Sequence, residues 1–419
     1  MRAIMTENAL RALHSIEAID LVPQNWSYTG EGNASMIFAY TGTNSELSGW
    51  VLRLLKCPFV NKADSSVSSQ EEIKAAAHAK NKRTREGIIY TTDVIGPLIG
   101  DKYILPQRQV SVSKSFLQQL SIAAEPFRPE HRHNKKIDLE RGTAILTRNM
   151  RRRSNVQGVH SVTVEIKPKW GFLPKSESIT DETAISKCVC HFCMKQFSKP
   201  DVDPGNAFCT LDLFSGDPIR IEQALGCMSR SPQGKLRIFV DDTSVLDNEL
   251  LDKSLIPSWD ELKKAITNIV ATDKLFPRLQ FLQSQLDQYG IEGILPKFNR
   301  ALSAGSLTTN DPCIGEWIQA AAEFEKRCND NGEVSDKQAV LEFLISTTLK
   351  DISVMICLEP WPTLQIDNGR VLPEYTIAII DTDMKHISKV PEYFRKKVVL
   401  ASEYLRYNPD PSKRRLCYE

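Results

Sequence analysis

The stretch that most narrows the possible folds lies near the start of the chain. From Trp26 to Tyr40 it reads WSYTGEGNASMIFAY, two strand-like runs on either side of a glycine-rich centre. That pattern is a hairpin with a small-residue turn. GWVLRLLK at 49–56 is the next strand candidate, with shorter ones at 102–105, 108–113 and 143–146. A polar stretch at 70–84 is compatible with a helix. The first third is therefore strand-rich.

The remainder reads differently. VHSVTVEI (159–166) alternates like a strand and ends in Lys167-Pro168-Lys169, where a proline stops regular ladder pairing. Residues 180–197 read as a helix, LRIFVDD (236–242) as a strand, and 258–350 as helix-rich. VMICLEP (354–360) and YTIAIID (375–381) read as strands, followed by a terminal helix at 391–407. Residues 7–18 read as a short amphipathic helix, and 61–70 and 199–206 as loops. At 419 residues the chain exceeds one ordinary core. The expectation is an α+β fold in two lobes: a small β-rich N-lobe (1–149) and a larger mixed α/β C-lobe (150–419).

A net charge of +1 leaves no global field toward nucleic acid or a membrane, so anion binding must come from local clustering. No apolar run reaches the roughly 20 residues that span a bilayer. Glu7, Glu17 and Asp20 interrupt the N-terminal apolar positions, which does not read as a signal peptide. Ten cysteines without a compact spacing framework fit reduced thiols, hence cytoplasm or nucleus.

Four groups of residues could carry chemistry. Gly32, Asn33, Ala34 and Ser35 could lay backbone N–H groups against phosphate oxygens, although a tight hairpin needs the same glycines. Arg53 and Lys56 follow on the next strand, as phosphate partners or plain edge-strand cations. A basic segment runs through Arg128, Arg132, Lys135, Lys136, Arg148, Arg151, Arg152 and Arg153 to Lys167 and Lys169. Strand alternation puts the last two on one side, where they could converge on one anion. A solvated basic loop is the alternative, but Trp170 and Phe172 tie the segment to a core. Asp351 and Asp381 sit at strand ends, where a carboxylate holds Mg²⁺, accepts a hydroxyl proton, or simply caps a turn. Lys385 stands four residues beyond Asp381. Finally, Cys188, Cys190, His191 and Cys193 invite a zinc reading. Against it, neighbouring residues on a helix point apart, and Cys209 is the nearest further thiol. His191 and Lys199 could share one helix face.

Together these motifs resemble the inositol-pentakisphosphate 2-kinase family. The resemblance is carried by GEGNAS (30–35), VLR (51–53), VSVSK (110–114), Arg128-Pro-x-x-Arg132 and EIKPKWGF (165–172). It continues through Cys190-x-x-Cys193-Met-Lys-Gln196, LDLFSG (211–216), Arg237-Ile-Phe, Asp351-x-Ser-x-Met-Ile356 and Ile380-Asp381-x-x-x-Lys385. It implies a two-lobed kinase-like fold and transfer of the ATP γ-phosphate to the 2-hydroxyl of inositol pentakisphosphate, giving the hexakisphosphate. By position, Gly32, Asn33, Ala34, Ser35, Arg53 and Arg237 would bind ATP phosphates, and Thr147 to Asn149 the adenine and ribose. Arg132, Lys167, Lys169, Lys199, Lys385, Lys389 and Tyr393 would clamp inositol phosphates, with His191 on the same surface. Asp351 would be the base, Asp381 the Mg²⁺ ligand with Asp351 beside it, and Lys167 part of the catalytic group.

The chain departs from the family at His191 and Lys195, where Arg and His are usual, and at Lys389, which replaces an Arg. A Cys/His zinc cluster found in some members would fall near 300–330; only Cys313 and Cys328 remain there, so no zinc is expected. The expected cofactors are ATP and Mg²⁺, and the expected state is a monomer without membrane or nucleic-acid partners. The competing readings are a non-catalytic binder of inositol phosphates or RNA, and a kinase for other inositol phosphates or lipid.

Overall fold

The computed structural model describes residues 21–58, 70–152, 160–199, 204–231, 234–245, 259–330, 334–359, 361 and 374–419. The expected helix at 7–18, the loop at 61–69, Arg153 and the start of the 159–166 strand lie outside them.

The strands are β1 (Trp26–Glu31), β2 (Ser35–Tyr40), β3 (Trp50–Pro58), β4 (Gln107–Ser111), β5 (Lys135–Ile137) and β6 (Thr143–Arg148) in a first sheet. A second holds β7 (Val162–Ile166), β8 (Leu236–Val240), β9 (Thr243–Ser244), β10 (Ser353–Leu358) and β11 (Tyr375–Ile380). The helices in chain order are α1 (Gln70–Ile89), α2 (Gly96–Ile99), α3 (Lys114–Ala124), α4 (His191–Phe197), α5 (Pro218–Arg230) and α6 (Trp259–Thr272). They continue with α7 (Leu275–Gln285), α8 (Gly290–Ser303), α9 (Ile314–Asp330), α10 (Asp336–Leu349) and α11 (Val390–Tyr407).

The first sheet has the order β1-β2-β3-β6-β4, with β5 on the end of β3. Its core packs against α3, whose Phe116, Leu117, Leu120 and Ala124 recur at helical spacing and meet Trp26, Phe38 and Leu52. Ser113 caps that helix by accepting from the Phe116 N–H at 3.1 Å.

The second sheet has the order β11-β10-β7-β8-β9 and is antiparallel throughout. Its central strands are buried on both faces. Val354, Ile356 and Leu358 point into the large helical core, while Met355 and Cys357 point the other way, toward Leu105 and Met150. That is why VMICL and YTIAII read as unbroken apolar runs. α10 is buried nearly all round, with Gln338, Glu342, Ser346 and Thr348 buried among its apolar residues.

α1 joins the two sheets. Lys80 pairs with Asp138 at 2.7 Å beside the first sheet. The chain then continues as a π-helical turn, Tyr90–Ile95, whose Tyr90, Val94 and Ile95 belong to the second core. The expected strand at 102–105 is instead a short 3-10 turn, Asp101–Tyr103, followed by one bridge from Ile104 to Ile379. The reading of 180–197 as one helix also fails. A 3-10 turn, Asp181–Lys187, ends at Cys188, Cys190 is extended, and the helix starts only at His191.

Candidate active site

The hairpin turn leaves its backbone open to a ligand. Gly32 N–H donates to Ser35 O at 2.9 Å, closing the turn. A Cβ built at Gly32 would meet nothing within 4 Å. Packing therefore does not demand glycine there, whereas close approach by a ligand would. Ser35 Oγ accepts from Arg53 Nε at 3.0 Å, and Asn33 is held by Lys135 at 2.9 Å. Lys56 is buried against Glu31 at 2.5 Å, together with Arg128 at 2.8 Å. Those two cations build the hairpin rather than face a ligand. Arg132 belongs to the same neighbourhood, where its charge helps to lower the Lys56 pKa after burial has done so.

Arg53 reaches across to Asp383 at 4.0 Å, in the loop that follows β11. That loop opens with Asp381 at φ +63°, left-handed backbone that few residues other than glycine adopt and that aspartate tolerates. Asp381 pairs with Lys167 at 2.9 Å and accepts from Ser353 Oγ at 3.3 Å. Burial pushes its carboxyl up, but Lys167 and Arg53 outweigh that and hold it below the usual range. Glu165, under Ser353 at 2.9 Å, also faces Arg237 at 3.7 Å.

Lys169 is the second strained residue, at φ +59°. The twist breaks strand alternation after Pro168, so the two lysines turn to different carboxylates. Lys167 turns to Asp381, and Lys169 to Asp351 at 2.6 Å. Lys385 meets the other oxygen of Asp351 at 3.0 Å. Burial raises the Asp351 pKa, and Lys385 and Lys169 more than reverse this, bringing it down to about 2. Asp351 does not open a strand as expected; it follows the end of α10, its N–H donating to Thr348 O at 2.9 Å.

Asp351 stands on the wall of a cavity of about 1020 Å³. The sequence-predicted Lys169, His191, Lys199, Lys385 and Tyr393 line it too. Lys195, named with His191 as a departure from the family, lines it as well, and sequence reasoning missed Arg230, Lys235, Lys396, Lys350 and Lys397, which also line it. Lys235 stands two residues before Arg237 and Lys396 three beyond Tyr393, so strand and helix periodicity could have found both. Lys195, Lys199 and Arg230 have no carboxylate partner among the described residues. Burial, then Lys169, Lys195 and Lys167, bring the Lys235 pKa down to about 8. His191 is held neutral: burial takes its pKa down to about 4, and its ring stacks on Trp170 at 4.9 Å. Below it, Lys350 lies 4.0 Å over Trp170 and pairs with buried Asp287 at 2.5 Å.

Arg132, Lys167 and Lys389, expected at the inositol phosphates, do not line this cavity, nor do Thr147 and Asn149. Lys389 folds back onto Glu392 at 2.7 Å, one turn along its own helix. The Asn149 amide is committed to Asp242 at 2.9 Å and to the Arg151 N–H at 2.9 Å. Thr147 Oγ1 is buried without a hydrogen-bond partner among the described residues.

A second cavity of about 560 Å³ joins the two sheets and is lined by Ala34, Arg53, Ile145, Asp383 and Lys385. Lys385 is common to both cavities. The site is thus a cation-rich anion cavity abutting a cleft under a glycine hairpin, with carboxylates at the junction, the layout of a phosphate-handling protein. The sequence model of the family described as inositol-pentakisphosphate 2-kinase matches residues 28–398. The chain belongs to that family. It is 28% identical to inositol-pentakisphosphate 2-kinase IPK1 of Oryza sativa subsp. indica, covering 91% of this chain and 94% of that protein. It is 25% identical to inositol-pentakisphosphate 2-kinase of Arabidopsis thaliana (91% and 93% covered) and to that of Danio rerio (94% and 96% covered).

Proposed function

We propose that the protein is an ATP-dependent kinase that phosphorylates the 2-hydroxyl of inositol 1,3,4,5,6-pentakisphosphate, giving the hexakisphosphate. The observation that carries this reading is the cavity of about 1020 Å³, whose wall sets Asp351, held by Lys169 and Lys385, beside Lys195, Lys199 and Arg230, which pair with no carboxylate among the described residues. A pure anion binder has no use for a carboxylate among its phosphates. In this reading residues 1–149 form the nucleotide-binding lobe and 150–419 the inositol-phosphate lobe of a kinase-like fold.

ATP would lie between the sheets. Gly32 to Ser35 and Arg53 would take its phosphates, with Arg237 beside them, and Thr147 would face the base. Asp381 and Asp351 offer the hard oxygen donors that Mg²⁺ takes together with substrate phosphates; when bound, that ion neutralises charge on the transferring group. Asp351 orients the attacking hydroxyl and accepts its proton. In the free protein Lys169 and Lys385 hold this carboxylate. An arriving polyanion competes for both lysines, so substrate binding itself releases the base. Lys167 keeps Asp381 ionised. The free thiols fit a reducing compartment, cytoplasm or nucleus.

The test is kcat/KM across penta-, tetra- and trisphosphates at fixed salt. Charge-assisted contacts contribute about 1.5–3 kcal/mol each. Each deleted phosphate then costs roughly 10- to 150-fold where its partner is left unpaired, partly in kcat because remote binding energy aligns the hydroxyl. A flat series would leave the cations as general attractants and remove the mechanism.

A further inference from the structure

The segment Lys169-Trp170-Gly171 forms cavity wall in a backbone that needs outside support. Lys169 is left-handed at φ +59°, a conformation that a lysine keeps only where its surroundings fix it. Gly171 packs so closely that a Cβ there would come within 2.8 Å of the Phe214 ring. Three side chains grip the segment. Thr210 Oγ1 donates to Trp170 O at 2.9 Å, and Gln280 Nε2 to Gly171 O at 2.6 Å. Gln283, fully buried on α7, donates to Lys169 O at 2.9 Å and accepts from the Gly171 N–H at 2.8 Å.

Gln283 does more than the other two. The same amide donates to Leu349 O at 3.0 Å, at the end of α10 and two residues before Asp351. Both of its N–H groups are thereby spent, and the acceptor from Gly171 fixes which way the amide points. Ser346 Oγ on α10 donates back to Gln283 O at 2.7 Å. Gln283 does not line the cavity. It ties together the two backbones from which Lys169 and Asp351 reach each other at 2.6 Å. The Lys350 ammonium, 4.0 Å over Trp170, braces the same two segments, so the fold keeps one link when Gln283 is replaced.

We propose that Gln283 is a positioning residue for phosphoryl transfer, setting the spacing of Lys169 and Asp351 before substrate arrives. The role rests on the transfer reaction proposed above. When a substrate phosphate draws the Lys169 ammonium away, the amide keeps both backbones in place, and Asp351 is left aligned on the hydroxyl. Without the amide the two segments shift separately. A displacement of about 1 Å at reacting groups costs on the order of 10²-fold in rate.

Gln283→Met keeps the side-chain length and loses all three hydrogen bonds. Its single-turnover kcat on inositol pentakisphosphate is expected to fall about 10- to 100-fold, with KM for ATP within about twofold of wild type. A double-mutant cycle separates positioning from general loss of stability. In an Asp351→Asn background, Gln283→Met should cost less than about threefold in kcat, because the carboxylate that it positions is gone. The full loss in that background, or wild-type kcat in Gln283→Met alone, would overturn the role. A wild type that makes no hexakisphosphate would overturn the transfer reaction and this role together; an active wild type matched by Gln283→Met would overturn this role only. Should Gln283→Met fail to fold, hydrogen exchange of the wild type decides. The Gly171 N–H should be protected as strongly as the β10 amides without ligand. Protection gained only on binding the pentakisphosphate would contradict a spacing set in advance.

Discussion

Asp381→Asn is expected to lower kcat by on the order of 10³-fold, while the Kd for inositol pentakisphosphate moves by less than about threefold. Asparagine is the informative replacement because it shares with aspartate a tolerance for the left-handed backbone that Asp381 occupies at φ +63°. It also retains an oxygen for Ser353, so the fold survives. What it removes is a full carboxylate charge at the start of the loop that carries Asp383 and Lys385, opposite Lys167 and Arg53. In the proposed function that charge holds a cation on the nucleotide phosphates and does not meet the inositol ring. The measurement is single-turnover kinetics beside calorimetric binding of the pentakisphosphate. Wild-type turnover would remove Asp381 from the metal and from the chemistry.

Asp351→Asn should cost about 10²- to 10⁴-fold in kcat and tighten anion binding. Removing the carboxylate frees Lys169 and Lys385 from an internal competitor, so the substrate no longer has to displace it. A variant that binds better and turns over worse separates a base from a binding residue. The pH profiles carry the same logic. With a pKa of about 2, Asp351 is ionised in the free enzyme at any pH above about 4. It therefore contributes no acid limb to kcat/KM above that pH. Binding draws the two lysines toward phosphates and lets the pKa rise, so the acid limb of kcat should lie at higher pH. Equal limbs in both profiles would mean that the lysines never leave Asp351.

Much of this was legible in the residues, and what was not has identifiable causes. The glycine hairpin, the strand bearing Arg53 and the two apolar strands before Asp381 stand where their patterns put them, because each pattern records burial on a fixed period. Alternation put Lys167 and Lys169 on one side because it assumes extended backbone; Lys169 is left-handed, and the two turn to different carboxylates. The single helix over 180–197 fails for a related reason: helical periodicity does not hold across Cys188–Cys190, where the backbone is extended before the helix starts. Cys190 meets Cys417 through a tail contact more than 200 residues away in sequence. Arg230 and Lys397 gained their positions from packing between elements that no local window contains.

The central claim is positional. Purified protein incubated with ATP, Mg²⁺ and inositol 1,3,4,5,6-pentakisphosphate, with products resolved by isomer and phosphorus NMR, tests it most directly. Inositol hexakisphosphate should accumulate in step with ADP, and pentakisphosphates whose 2-position is already phosphorylated should be poor substrates. No hexakisphosphate, or equal rates whichever hydroxyl is free, would contradict the account.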